Sequence, residues 1–287
     1  MIERTEGFLS VADGEQIWCE SAGTGPDLIL SHGLGGNAAV WYQQLPFFAQ
    51  NYRVITWDHR GFGRSTNTTG THGPESSVSD LLAILDHFEV ENAHLVGQSM
   101  GGWATLGTAL AAPDRVASIV LACTTGGIPA GFGAQAGAPA ASDPPTSRPR
   151  ATPGPTAGSG PHAARPLGEH PALGERLPSL DPARAYLYQA LGSFGARPDD
   201  SEFFRILTNH SFDPDDLRTL DIPTLLIAGE LDTLMTPKLI RRAAEYLPNA
   251  AVIELAGRGH SPYFEDPDAW NTVVATFLTH ATAQAAA

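Results

Sequence analysis

Six short apolar runs punctuate the chain, and helical patterns occupy most of the intervals between them. The runs are Asp27–Ser31 (DLILS), Tyr52–Trp57 (YRVITW), Ala93–Gly97 (AHLVG), Val116–Cys123 (VASIVLAC), Thr224–Ala228 (TLLIA) and Ala251–Leu255 (AVIEL). A short run without polar alternation is what a strand covered on both faces requires. In Val78–Phe88, Val78, Leu81, Leu82 and Leu85 recur at helical spacing, with Ser77 and Asp80 placed like a capping box. Trp103–Ala112 and Pro237–Leu247 each follow a strand as helices, and a last helix starts near Asp266-Pro267. At the front, Phe8–Val11 and Glu15–Glu20 flank Asp13-Gly14, a pair suited to a tight hairpin turn. Strand and helix in alternation predict the α/β class, a mostly parallel sheet with helices on both faces.

One stretch breaks this rhythm. From Ala130 to Leu180 the large apolar side chains are Phe132, Leu167, Leu173, Leu177 and Leu180, and small residues and proline supply most of the rest. Such a segment buries too little to offset the entropy of ordering it, so loose packing is expected. Helical patterns resume over Asp181–Leu191 and Ser201–Asn209. The organisation expected is a core in two parts, residues 1–124 and 220–287, interrupted by an insertion over 125–219 whose 130–180 portion is poorly ordered.

Charge and cysteine usage narrow the function classes. Seventeen basic against 31 acidic residues give a formal charge of −14, a field that repels phosphate backbones and anionic lipid. Nucleic-acid and membrane partners are therefore not expected. Cys19 and Cys123 match no metal-ligand spacing and read as buried thiols of a reducing compartment. With a charged N-terminus and no apolar stretch near the roughly 20 residues that span a bilayer, a cytoplasmic protein is expected. Oligomeric state is not legible.

Gly97-Gln98-Ser99-Met100-Gly101 fits G-x-S-x-G between an apolar strand and a helix. That context places Ser99 on a sharp turn with its hydroxyl clear of the backbone, and a helix N-terminus behind it. His32-Gly33-Leu34-Gly35-Gly36 follows the DLILS strand, and its glycines allow the Leu34 N–H to face the nucleophile. The Met100 N–H would be the second donor of an oxyanion hole. Asp232, in Gly229-Glu230-Leu231-Asp232, and His260, in Gly257-Arg258-Gly259-His260, each stand just beyond a strand. The carboxyl ends of parallel strands converge, so Ser99, Asp232 and His260 are expected to meet. Their chain order, nucleophile then acid then base, suits this arrangement.

Each member has competitors. Glu230 should point away, and Asp58 reads as the partner of Arg60 in a turn. His59, His72, His87, His94, His210 and His280 lack the loop context of His260, and His32 reads as structural. Trp103 and Leu234 are candidate substrate contacts. Leu34, Met100, Tyr186, Tyr188, Phe203 and Phe204 are further candidates for the pocket wall, although core packing accounts for any one of them.

Taken together, SHGLGGN, WDHRGFGRS, VGQSMGGW, IAGELDTLMTP and GRGHSPYFEDP resemble the α/β-hydrolase superfamily, in order and in spacing. The similarity is greatest to its small bacterial esterases, lactonases, carbon–carbon bond hydrolases and cofactor-free haloperoxidases. It covers about Gly7–Thr124 and Leu220–Leu278. It implies an insertion that caps the active site and chooses the substrate, and a chemistry that needs no metal or organic cofactor. Ser99 stands where dehalogenases and epoxide hydrolases of this fold carry aspartate, so an acyl-enzyme is the implied intermediate. Hydrolysis of a carboxylic ester or lactone, a small-molecule acyl substrate, is the expected reaction. Cleavage of a vinylogous diketone, with Arg184 or Arg197 over the substrate, and perhydrolase or haloperoxidase chemistry use the same triad. A ligand sensor built on the fold is the non-enzymatic reading.

Overall fold

The structure is a computed structural model that describes residues 2–131 and 167–285. Eight strands form one sheet: β1 Arg4–Ser10, β2 Gln16–Ala22, β3 Asp27–Ser31, β4 Arg53–Trp57, β5 Ala93–Gln98, β6 Val116–Ala122, β7 Thr224–Gly229 and β8 Ala250–Leu255. Their spatial order is β1-β2-β4-β3-β5-β6-β7-β8. β1 and β2 pair antiparallel, β2 runs antiparallel to β4, and every later pair is parallel.

The apolar runs are the central strands because both of their faces are covered. Leu28, Ile29, Leu30, Val54, Ile55, Leu95, Val96, Ile119, Val120 and Leu121 are buried, and alternate side chains feed two apolar layers. One layer holds Ile29, Ile55, Leu95 and Ile119 with Leu81, Ile84, Leu85 and Leu106; the other holds Leu28, Leu30, Val96 and Val120 with Trp41, Trp270, Val274 and Leu278. β8 is different. It closes the sheet as an edge, and Ala251, Ile253 and Glu254 are exposed.

Two local expectations are corrected. The helix expected from Val78 begins at Pro74 and runs to His87, because proline presets the first-turn φ and Gly73, at φ 152°, makes the preceding bend. Ser77 and Asp80 therefore lie inside the helix and both are buried; they form no cap. Nor does Asp58 pair with Arg60. It binds the Arg64 guanidinium at 2.9 Å and accepts the Ala38 and Arg64 amides at 2.7 and 2.9 Å. Arg60 turns inward to Asp80 at 2.6 Å, and to Asp13.

Between β6 and β7, residues 132–166 lie outside the described residues, and with them most of the stretch expected to pack loosely. From residue 167 the chain packs onto the core through Ala172, Leu173 and Leu177. The helices Pro182–Leu191, Asp200–Asn209 and Pro214–Thr219 follow, the first two covering the expected helical segments. No helix among the described residues is long and apolar enough to cross a membrane.

Candidate active site

Ser99 stands one residue beyond β5 at φ 49°, in the left-handed region that side chains other than glycine rarely occupy. The conformation is held from both sides. The Ser99 N–H donates to the Ala122 carbonyl of the neighbouring strand at 3.0 Å, and the Ser99 carbonyl accepts from Gly102 at 2.9 Å. A Cβ at Gly97 would lie 2.5 Å from the Gly101 carbonyl, so only glycine permits so sharp a turn into the helix Gly101–Ala111.

His260 reaches Ser99 from the loop after β8. Its Nε2 lies 2.9 Å from Ser99 Oγ, and its Nδ1 lies 2.7 Å from Asp232 Oδ2. Asp232, in the loop after β7, accepts the Leu234 and Met235 amides on Oδ1 at 2.8 and 2.9 Å. Burial opposes the Asp232 charge, but the nearby His260 and these amides outweigh it and hold the carboxyl below its usual range. The structure thus brings together the three residues singled out in the sequence. Glu230 points away, accepting the Gly257 N–H at 2.6 Å.

The loop after β3 abuts this group. A Cβ at Gly33 would collide with Gln98 Oε1 and lie 3.1 Å from Ser99 Cβ; one at Gly101 would collide with the Ser31 carbonyl. Leu34 is half-buried and Met100 is buried in the core. His32 is structural: it receives the His59 N–H on Nε2 at 3.0 Å, and burial holds its imidazole below the usual range. His94, also buried, stands at the opposite end of β5 from Ser99 and joins Ser118 at 2.8 Å and Thr282 at 3.2 Å.

A cavity of about 910 Å³ opens against Asp232 and His260, between the segment 169–175 and the loop after β7. Glu169, His170, Leu173, Glu175, Glu230 and Thr233 are among its walls. The candidate contacts Trp103 and Leu234 are elsewhere: Trp103 lines a second cavity of about 220 Å³ beside Ile128 and Leu207, and the Leu234 side chain is exposed. Of the aromatics, Tyr188 is turned inward, with its hydroxyl 2.9 Å from Ser261 Oγ. Phe203 packs on Phe62 and His72, and Tyr186 is exposed.

Two residues that sequence reasoning passed over hold the loops in place. Gln98 donates from Nε2 to the His260 carbonyl at 3.1 Å, tying the strand-to-helix turn to the base loop. Glu265 accepts the N–H groups on either side of His260, from Gly259 at 3.0 Å and Ser261 at 3.3 Å. Burial pushes its carboxyl above the usual range, while the Gly259, Gly174 and Ser261 amides pull it back. The five-residue spacing from His260 to Glu265 is visible in the sequence, but not that Glu265 turns inward.

Comparison with known proteins identifies the fold family. The family model described as "alpha/beta hydrolase fold" matches residues 26–267. A protein named "Putative carbamate hydrolase RutD" from Caulobacter sp. (strain K31) is 33% identical over 258 residues, covering 88% of this chain and 90% of that one. Its namesake from Azorhizobium caulinodans is 30% identical over 271 residues, 91% of this chain and 94% of the other. Among solved structures, the esterase RhEst1 from Rhodococcus sp. ECU1013 superimposes with a TM-score of 0.74 at 26% identity, over 96% of this chain and 98% of its own. The chain belongs to the α/β-hydrolase fold family and is a hydrolase of that type.

Proposed function

We propose that this protein hydrolyses a small carboxylic ester or lactone through an acyl-enzyme on Ser99. The observation that carries the reading is the unbroken chain from Ser99 Oγ to His260 Nε2 and from His260 Nδ1 to Asp232 Oδ2. In this reading His260 takes the Ser99 proton as the oxygen attacks the carbonyl, then gives it to the leaving alkoxide. Asp232 fixes the proton-bearing side of the ring and stabilises the imidazolium, for which its charge is held by two amides. The Leu34 and Met100 N–H groups are assigned to the oxyanion, an interaction that typically accounts for about 3–4 kcal/mol of barrier per donor. Water then enters by the same proton path and releases the acid. Residues 167–219 are assigned the role of a cap.

A second reading, a carbamate as substrate, is favoured by the names of the relatives that are 30–33% identical. The same attack on a carbamate carbonyl yields a carbamoyl-serine. The two free thiols, both buried, fit the cytoplasm.

A fluorophosphonate probe tests the nucleophile: mass spectrometry should place one adduct on Ser99, and an adduct elsewhere overturns the assignment. Turnover of matched p-nitrophenyl esters and aryl carbamates separates the two substrate readings. An ester preference supports the first, and a carbamate preference the second.

A further inference from the structure

Cys123 stands one residue beyond β6 at φ 48°, a left-handed conformation like that of Ser99 just beyond the adjacent strand β5. Its N–H is anchored to the Ile227 carbonyl at 2.8 Å, and the side chain is buried beneath Asp232 and His260. Cys123 Sγ, a carboxylate oxygen of Asp232 and a ring nitrogen of His260 all lie within 4.8 Å of one another. Ligands around a tetrahedral zinc ion stand about 3.4–3.7 Å apart, at bond lengths of about 2.0–2.3 Å. His260 Nδ1 and Asp232 Oδ2 stand 2.7 Å apart, so binding requires that hydrogen-bonded pair to open. The proposed mechanism of hydrolysis gives the thiol no role. The neighbouring cavity of about 910 Å³ is lined by two of the three ligands, Asp232 and His260, while Cys123 lies buried behind them.

We propose that Cys123, Asp232 and His260 form a site for a soft divalent cation such as zinc or cadmium, whose binding switches Ser99 off. One thiolate, one carboxylate and one neutral imidazole balance a doubly charged ion, and thiolate selects soft metals over magnesium or calcium. On binding, the thiol proton leaves to solvent and sulfur bonds the metal. The His260 proton moves from Nδ1 to Nε2, and Nδ1 bonds the metal in place of its hydrogen bond to Asp232. Nε2 then carries a proton and no longer accepts that of Ser99. Nothing is oxidised or reduced, and one proton is released for each ion bound.

Cadmium titration of the full chain tests this, read both by cadmium–thiolate absorbance in the ultraviolet and by ester turnover. Wild type should show one thiolate-bound ion per chain, with inhibition following occupancy and reversed by a chelator. Cys123→Ser should keep its metal-free turnover, lose the absorbance and resist inhibition at about 100-fold higher cadmium; Cys19→Ser should behave as wild type. Equal inhibition of wild type and Cys123→Ser, or an absorbance lost with Cys19 instead, overturns the proposal. If Cys123→Ser does not fold by circular dichroism, His260→Ala decides: weakened cadmium affinity supports the site, and unchanged affinity refutes it. The absorbance stands without turnover, so an error in the substrate reading is not confused with an error in the site.

Discussion

His260 Nε2 lies 2.9 Å from Ser99 Oγ although 161 residues separate the two in sequence. The opposite edge of the same ring is committed to Asp232 at 2.7 Å, which fixes the direction in which a proton can move. Asp232→Asn replaces the acceptor with an amide and favours the wrong tautomer. The expected result is a fall in kcat of about 10⁴-fold with the fold retained, checked by steady-state kinetics beside circular dichroism. A fall of less than about tenfold contradicts the role given to Asp232.

Gly33 is required for space. The side chain of Gly33→Ala would meet Gln98 Oε1 and press on Ser99 Cβ, so a stability loss of about 1–3 kcal/mol and a fall in activity are expected. Because the first clash is with a side-chain tip, Gly33→Ala combined with Gln98→Ala should recover part of the stability. Strict additivity in this double-mutant cycle would show that the two positions do not meet.

Glu265 holds the loop that carries the base, through the Gly259 and Ser261 amides. Glu265→Gln weakens both bonds and should cost about 1–3 kcal/mol in denaturant unfolding. Activity should respond in kcat, since the loop that Glu265 holds carries the base. A change confined to KM argues against this positioning role.

The residues that were legible are those whose local pattern leaves one option. A run such as DLILS between polar turns has no stable place except a covered strand, and a serine between Gly97 and Gly101 after such a strand has one sharp turn available. Asp232 and His260 followed, because strand ends on one sheet edge must converge. Choices among equivalent partners were not legible. Asp58 had two arginines within reach in sequence, Arg60 and Arg64, and only the tertiary position of Asp80 draws Arg60 inward. Glu265 was passed over in the sequence because nothing local shows that it is buried and accepts the two amides beside His260. Trp103 and Leu234, chosen for their neighbours in sequence, do not line the cavity beside the base.

Acid stability reports on His94. Burial between Ser118 and Thr282 lowers its imidazole from 6.5 to about 4. The folded value lies below the unfolded one, so between them the unfolded chain binds the extra proton. Stability is therefore lost as pH falls from about 6.5 through about 4, on the order of 3 kcal/mol from this group. Urea unfolding at pH 7 and pH 4.5 should show a smaller difference for His94→Gln than for wild type. An identical difference would exclude His94 as a source of acid lability.

The most direct test of the acyl-enzyme is rapid-mixing release of p-nitrophenol from short acyl esters by wild type and Ser99→Ala. Wild type should release a burst approaching one equivalent per chain wherever deacylation limits turnover. The variant should show no burst and a steady rate lower by several orders of magnitude, about 10⁶-fold at the extreme. Undiminished turnover by folded Ser99→Ala, or no release by folded wild type across acyl lengths, would contradict the account.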